Sequence, residues 1–312
     1  MDATSRYLMF QAVVILPFLL GYQIAKNSSY QDNYTKKITR FNIIVIEPII
    51  MLWSTWGQKL SPDLIFLPLA GFFLVILGLG MGRFFVRFLD LSPKSRATYL
   101  VSSSLANHGF TMGSFVCYLI LKEKGLALGA IFLTYFHFYV YLLVFPYANK
   151  VNRNSKFTWQ MLLKSIFAWQ SLPLLAVLIS IMFHLLKIER PQIYFPFENL
   201  LMVSIGLQYF SLGTTFKLKN IATSIKANVF LALSKFLFVP LVTSVLLGLV
   251  NLDHDLKLVI LIESFMPAAV FSVVTSILFD LDSALASGLF VVNTILFIVA
   301  VLPFIFLLQS LF

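Results

Sequence analysis

The chain alternates long apolar runs with short polar breaks, and the runs have the length of membrane crossings. Stretches of roughly twenty apolar residues suffice to traverse a bilayer core. They lie near 6–25, 38–56, 63–88, 98–121, 126–148, 166–187, 197–216, 225–250, 256–279 and 283–311, five in each half. The pattern predicts an all-α polytopic membrane protein with ten transmembrane helices. The longest polar stretches, about 26–37 and 149–165, read as ordinary loops. The first run shows no small-residue cleavage site and reads as a mature helix rather than a signal peptide.

The two halves echo each other. Leu16-Pro17-Phe18-Leu19-Leu20 returns 156 residues later as Leu172-Pro173-Leu174-Leu175-Ala176. Ser54-Thr55-Trp56-Gly57 returns at the same shift as Phe210-Ser211-Leu212-Gly213. The stretch from Ala127-Leu128 to Pro146 has a counterpart from Ala284-Leu285 to Pro303, at a shift of 157. Each match is weak, but the constancy of the register is not. An odd number of spans per copy inserts the second copy upside down, giving two inverted five-helix repeats. Internal repeats in so apolar a chain mark a secondary transporter.

Composition agrees. Apolar residues make up 59% and charged residues 12%, against about 45–50% and about 25% in soluble domains. The net charge of +10 is an orientation signal, because the basic residues are unevenly placed. Fifteen fall on one side: Lys26, Lys36, Lys37, Arg40, Arg83, Arg87, Lys94, Arg96, Lys150, Arg153, Lys156, Lys164, Lys217, Lys219 and Lys226. Seven fall on the other: Arg6, Lys59, Lys122, Lys124, Lys187, Arg190 and Lys257. The richer side is cytoplasmic by the positive-inside rule, so both termini face outward. The expected location is the plasma membrane (the inner membrane of a cell with two), and nucleic acid is not a partner. The single Cys117 reads as a small buried hydrophobe.

Two spans carry breaks at corresponding places. Segment four reads Ser102-Ser103-Ser104-Leu105-Ala106-Asn107-His108-Gly109-Phe110-Thr111-Met112-Gly113-Ser114, with glycines four apart. Segment nine reads Glu263-Ser264-Phe265-Met266-Pro267-Ala268-Ala269-Val270-Phe271-Ser272, where Pro267 removes a helical hydrogen bond. Irregular backbone at bilayer depth is tolerated only beside protein or a water-filled cavity, and paired interruptions point to the binding site. The expected substrate residues are Asn107, Gly109, Thr111, Gly113, Ser114, Met266, Pro267 and Ala268. Ser103, Asn107, Thr111, Ser114 and Tyr118 are spaced to form one polar helical face.

Ionisable groups within spans are costly and functional by default. Glu263, four residues before Pro267, ranks first as a cation ligand or proton carrier. Glu47, before Pro48, could act likewise, and Asn107 could add a cation ligand. Lys235 could pair with a carboxylate, meet an anionic substrate, or snorkel to the cytoplasmic surface. His108 lies beside the break, whereas His137 and His184 read as structural. Four scattered histidines and one cysteine offer no metal-ligand spacing. No phosphate-cradling Gly-rich loop is present to use ATP. No catalytic residues and no cofactor are expected, beyond Na+ or H+ as a coupling ion.

At these positions the chain resembles the auxin efflux carrier family of permeases, over essentially its whole length. Pro17 through Gly21-Tyr22 resembles the family's opening helix. Asn107-His108-Gly109-Phe110 with Gly113 resembles its first crossover, and Ser211-Leu212-Gly213 its seventh-helix glycine. Lys235 through Pro240 resembles its eighth helix. Met266-Pro267-Ala268-Ala269, Asp280 and Ala286-Ser287 resemble its C-terminal pattern. Ser114 and Ala268 stand where the family has prolines, which implies a less sharply broken first crossover.

The resemblance implies a ten-helix fold shared with bile acid–sodium symporters, with broken helices 4 and 9 crossing at the substrate. It places scaffold helices 1, 2, 6 and 7 in 1–58 and 166–216, and a mobile transport core of helices 3–5 and 8–10 in 59–148 and 217–312. Residues 149–165 form the loop between repeats. Half-helix N-termini at such a crossing favour a carboxylate, so the implied function is elevator-type transport of a small organic anion. A sodium-coupled symporter of the bile acid type and a non-transporting sensor stay open as alternatives. Homodimerisation through the scaffold is a further expectation.

Overall fold

The computed structural model describes residues 3–26, 32–59, 61–110, 112–152, 169–215 and 225–309. Among them the fold is all-helical and contains no strand. Five helical stretches are long and apolar enough to cross a membrane: Lys37–Trp56, Pro62–Phe88, Gly113–Val151, Ile225–Leu249 and Ser283–Leu307. Gln11–Ala25 and Leu172–Leu185 are shorter apolar helices. The longest stretch contains a corner, because Lys122 takes φ 54° and ψ −141° inside the helix Gly113–Phe132.

The molecule exposes many large apolar side chains and buries many hydroxyls beside an apolar core, unlike a soluble protein. Ser54, Thr55, Thr98, Ser102, Ser103, Thr275 and Ser276 are buried, while Leu16, Leu69, Leu241, Val245 and Val299 are exposed. Most of the buried hydroxyls turn back onto their own helix. Ser103 Oγ, for example, donates to the Tyr99 carbonyl at 2.8 Å. The main apolar cluster joins Ile50, Leu67, Phe115, Phe132, Tyr139, Val259 and Phe297 in the middle of the bundle.

Four helices widen into a π-helical turn, at Asn42–Ile46, Val140–Val144, Ser234–Phe238 and Phe297–Val301. A proline follows each turn by two residues: Pro48, Pro146, Pro240 and Pro303. Proline has no N–H and its ring strikes the carbonyl four residues back. Those carbonyls belong to Ile44, Leu142, Phe236 and Val299, each at the centre of its π turn. The wider turn carries the helix past the proline without ending it. The turns Val140–Val144 and Phe297–Val301 lie 157 residues apart, as do the helices Phe145–Asn152 and Leu302–Gln309 that follow them.

Packing pairs the first helix, α1 (Ala3–Ala25), with Phe197–Thr215, and the helix Glu47–Trp56 with Leu172–Leu185. The first pair touches backbone to backbone. A Cβ on Gly21 would strike the Phe210 carbonyl, and one on Gly213 would strike the Phe18 carbonyl. Only glycine permits so close an approach from both sides.

One loop expectation is corrected. The stretch read as a loop over 26–37 is helical from Asp32, and Asp32–Phe41 runs straight into the π turn. Its strong amphipathicity, with Thr35 inward and Tyr34 outward, supports a helix at the rim of a membrane protein. Most of the expected loop 149–165 lies outside the described residues.

Candidate functional site

Both expected breaks are present, and they touch. One helix runs Pro93–Ser104 and the next begins at Gly113. In the other half His254–Ser264 ends and Val270–Leu278 begins. The interruptions cross as a short antiparallel bridge between Ala106 and Ala268. The Asn107 amide donates to the Pro267 carbonyl at 2.8 Å, and the Ala269 amide donates to the Leu105 carbonyl at 3.2 Å. Each break thus supplies one donor and one acceptor to the other.

Two expectations are corrected here. The first break is not the weaker one for lack of a proline at Ser114: the helix that ends at Ser104 is not resumed until Gly113, whereas in the second the helix that ends at Ser264 is resumed at Val270. Ser103, Asn107 and Ser114 therefore do not share one helical face, because the helix stops between them. Thr111 lies outside the described residues.

Behind the crossing lies a buried polar group. The Lys235 ammonium does not snorkel; it is 3% exposed and donates to the Leu105 carbonyl at 3.2 Å. A cation there complements the C-terminal end of the half-helix Pro93–Ser104. His108 Nδ1 hydrogen-bonds the Tyr135 hydroxyl at 2.6 Å. Glu263 is fully buried, and neither carboxylate oxygen has a hydrogen-bond partner among the described residues. Its carboxylate lies against Gly113, where a Cβ would collide with it. The hydroxyl of Ser114, next in the chain, is also buried and has no hydrogen-bond partner among the described residues. Buried carboxylate oxygens without donors are expensive, and a proton or a small cation would relieve that cost.

In front of the crossing a cavity of about 690 Å³ opens. One wall is the stripe Thr35, Thr39, Arg40, Ile43 and Glu47; Trp169, Gln208, Tyr209, Ser211 and Leu212 form another. Asn107, Phe110 and Met112 from the first break, with Val270, Phe290 and Thr294, complete it. Glu47 is 6% exposed. Its Oε1 accepts from Asn42 Nδ2 at 3.0 Å and from Gln208 Nε2. The Arg40 guanidinium lies over the Trp169 ring, 5.7 Å from its centroid. The surface is largely apolar, with one cation and one carboxylate among the described residues.

The expected site residues divide. Asn107 and Glu47 line the cavity, Pro267 and Ala268 form the crossing itself, and Gly113, Ser114, Met266, Glu263 and Lys235 are buried and do not line the cavity. A Cβ on Gly109 would meet nothing within 4 Å. His137 bonds the Ser171 hydroxyl at 3.0 Å and His184 the Thr55 carbonyl at 3.3 Å, as structural histidines do. Trp169 and Gln208 went unnoticed in the sequence, and Arg40 was read there as an orientation charge alone. The four-residue spacing of Thr35, Thr39, Ile43 and Glu47 was the available signal.

Ion pairs tie the broken helices down at both ends. Lys94, at the start of one, pairs with Asp280 at 2.6 Å; Asp255, at the start of the other, pairs with Lys124 at 2.5 Å. Ser95 Oγ donates to Asp282 Oδ2 at 2.7 Å beside the first pair. Glu123 also pairs with Arg190, whose guanidinium donates to the Trp53 carbonyl at 3.2 Å.

No curated protein is similar enough to match the chain. The family profile described as membrane transport protein matches residues 8–305. Polar breaks held together inside an apolar helical bundle are what an integral membrane permease requires, and the chain belongs to the auxin efflux carrier family of membrane transport proteins.

Proposed function

We propose that this permease is a secondary carrier that moves a small organic acid by an elevator-type motion. The observation that carries the reading is the Asn107–Pro267 crossing, which abuts a 690 Å³ cavity. Asn107 offers a side-chain amide there, and the helices starting at Gly113 and Val270 aim their positive ends at the crossing. Arg40 supplies a cation at the rim.

The helical stretches add up to ten spans if Lys122 divides two of them and if the half-helices join across each break. Three features support an inverted repeat. The π turns before Pro146 and Pro303 keep the 157-residue register. The pairing of helix 1 with 7 is mirrored by that of 6 with 2. The pairs Lys94–Asp280 and Asp255–Lys124 also exchange the positions of acid and base. On this reading 1–58 and 166–216 form a scaffold that could also pair two copies. Segments 59–148 and 217–312 form the moving core, and the cavity lies between them. Arg40 belongs to the basic side, so the cavity opens toward the cytoplasm, with both termini outside at the plasma membrane.

Glu263 is the proposed coupling group, taking up H+ or Na+ behind the crossing. Its unpaired oxygens beside Ser114 also favour the second reading, a sodium-coupled symporter of the bile acid type. Uptake of radiolabelled mono- and dicarboxylates into proteoliposomes, with and without sodium and a pH gradient, tests both. Saturable uptake supports the carrier. Binding without counterflow would instead identify a sensor.

A further inference from the structure

We infer that the cargo is amphoteric: it carries an ammonium or similar N–H donor at the end opposite its acid group, and Glu47 receives that donor. The inference rests on the carrier reading above and concerns the same cavity. Glu47 is the one carboxylate among the described residues lining it. The amides of Asn42 and Gln208 both donate to Oε1 and fix the side chain. Asn42 is itself held, donating to the Ser204 carbonyl at 3.3 Å. Oε2 has no hydrogen bond among the described residues, and it is not among the buried atoms sealed from solvent. Since Glu47 lines the cavity, that oxygen is open to whatever occupies it.

A carboxylate preset in this way, inside a largely apolar cavity, accepts a hydrogen bond and attracts positive charge. It repels a plain carboxylate brought against it. Arg40 lies seven residues earlier on the same wall, about 10 Å away by helical rise. Ile43 lies between the two on that wall, and Phe110 and Phe290 add apolar surface to the cavity. The spacing therefore suits a molecule with an acid at one end, an apolar middle and an amine at the other. A charge-assisted hydrogen bond to Glu47 would give such a molecule about a tenfold advantage over its deaminated counterpart.

The test uses purified full-length protein and matched ligands in a binding titration followed by thermal shift. The ligands are 4-aminobutyrate, 6-aminohexanoate and 8-aminooctanoate against hexanoate and hexylamine. At least one amino acid of the series should bind about tenfold tighter than hexanoate. Glu47→Gln should remove that preference, and Arg40→Gln should weaken hexanoate and the amino acids alike. The ligand comparison on the unmodified chain needs no variant, so a poorly folded Glu47→Gln leaves it decisive. Hexanoate binding as tightly as every amino acid would overturn the inference while leaving an organic acid carrier standing. A preference that survives in Glu47→Gln would overturn the role of Glu47. Binding of neither class would count against this inference and the carrier reading together.

Discussion

The amide of Asn107 donates to the carbonyl of Pro267 at 2.8 Å, joining two interrupted helices that lie 160 residues apart in the chain. Either break alone would leave backbone groups unpaired at bilayer depth, which is costly. The crossing pairs one amide and one carbonyl of each break with the other. It also leaves the Asn107 side chain beside the cavity, and it holds Lys235 and Glu263 just behind.

Asn107→Ala keeps the main-chain bond to Pro267 but removes the amide from the cavity. Transport should fall by more than about tenfold with expression and thermal stability near those of the unmodified protein. Pro267→Ala should abolish transport as well, by restoring an N–H that lets the preceding helix run into the break. Proteoliposome uptake and fluorescence-detected gel filtration check both variants, and normal uptake in both would defeat the crossing as a substrate site.

The two crossover glycines should differ. Gly113→Ala pushes a methyl group into the buried Glu263 carboxylate and should cost about 1–3 kcal/mol. Gly109→Ala meets nothing within 4 Å and should melt like the unmodified protein. Thermal unfolding in detergent separates them; equal melting temperatures would contradict the packing of Gly113.

Much of this was legible in the sequence. The apolar runs gave the class, and the strings around Asn107 and Pro267 gave both breaks, since membrane helices announce interruptions through polar and proline residues. The breaks were legible, but their contact was not. Nothing in the spacing says that the Asn107 amide finds the Pro267 carbonyl rather than a water or a side chain. The cavity was hidden for the same reason, because Arg40, Trp169 and Gln208 come from three separate helices. The readings of Lys235 stayed open because snorkelling depends on where the tertiary structure puts a carbonyl, and here Leu105 is within reach.

Gly21→Ala and Gly213→Ala should each destabilise the protein, since the opposing atoms are backbone carbonyls that cannot turn aside. A loss of about 1–3 kcal/mol each is expected. Because the two positions share one helix contact, the double variant should fall short of the sum. Strict additivity would argue against that shared contact.

Arg190 joins Glu123 at the corner beside Lys122 to the Trp53 carbonyl. On the elevator reading this pair links scaffold to core. Arg190→Glu and Glu123→Arg should each alter the rate of uptake, and the double exchange should restore most of it. Failure of the double exchange to improve on either single variant would remove the pair from the mechanism.

Glu263→Gln replaces a group that can take up a proton or cation with one that cannot. Uptake should lose its dependence on whichever of sodium or proton gradient drives the unmodified protein. An unaltered response to both would exclude Glu263 from coupling.

The most direct test of the account is counterflow. Proteoliposomes preloaded with unlabelled carboxylate, or with the amphoteric acid that binds best, should accumulate the labelled compound transiently and saturably, and those containing Asn107→Ala should not. Equal accumulation by the two, or none by the unmodified protein with any ligand that binds it, would contradict a carrier working through this crossing.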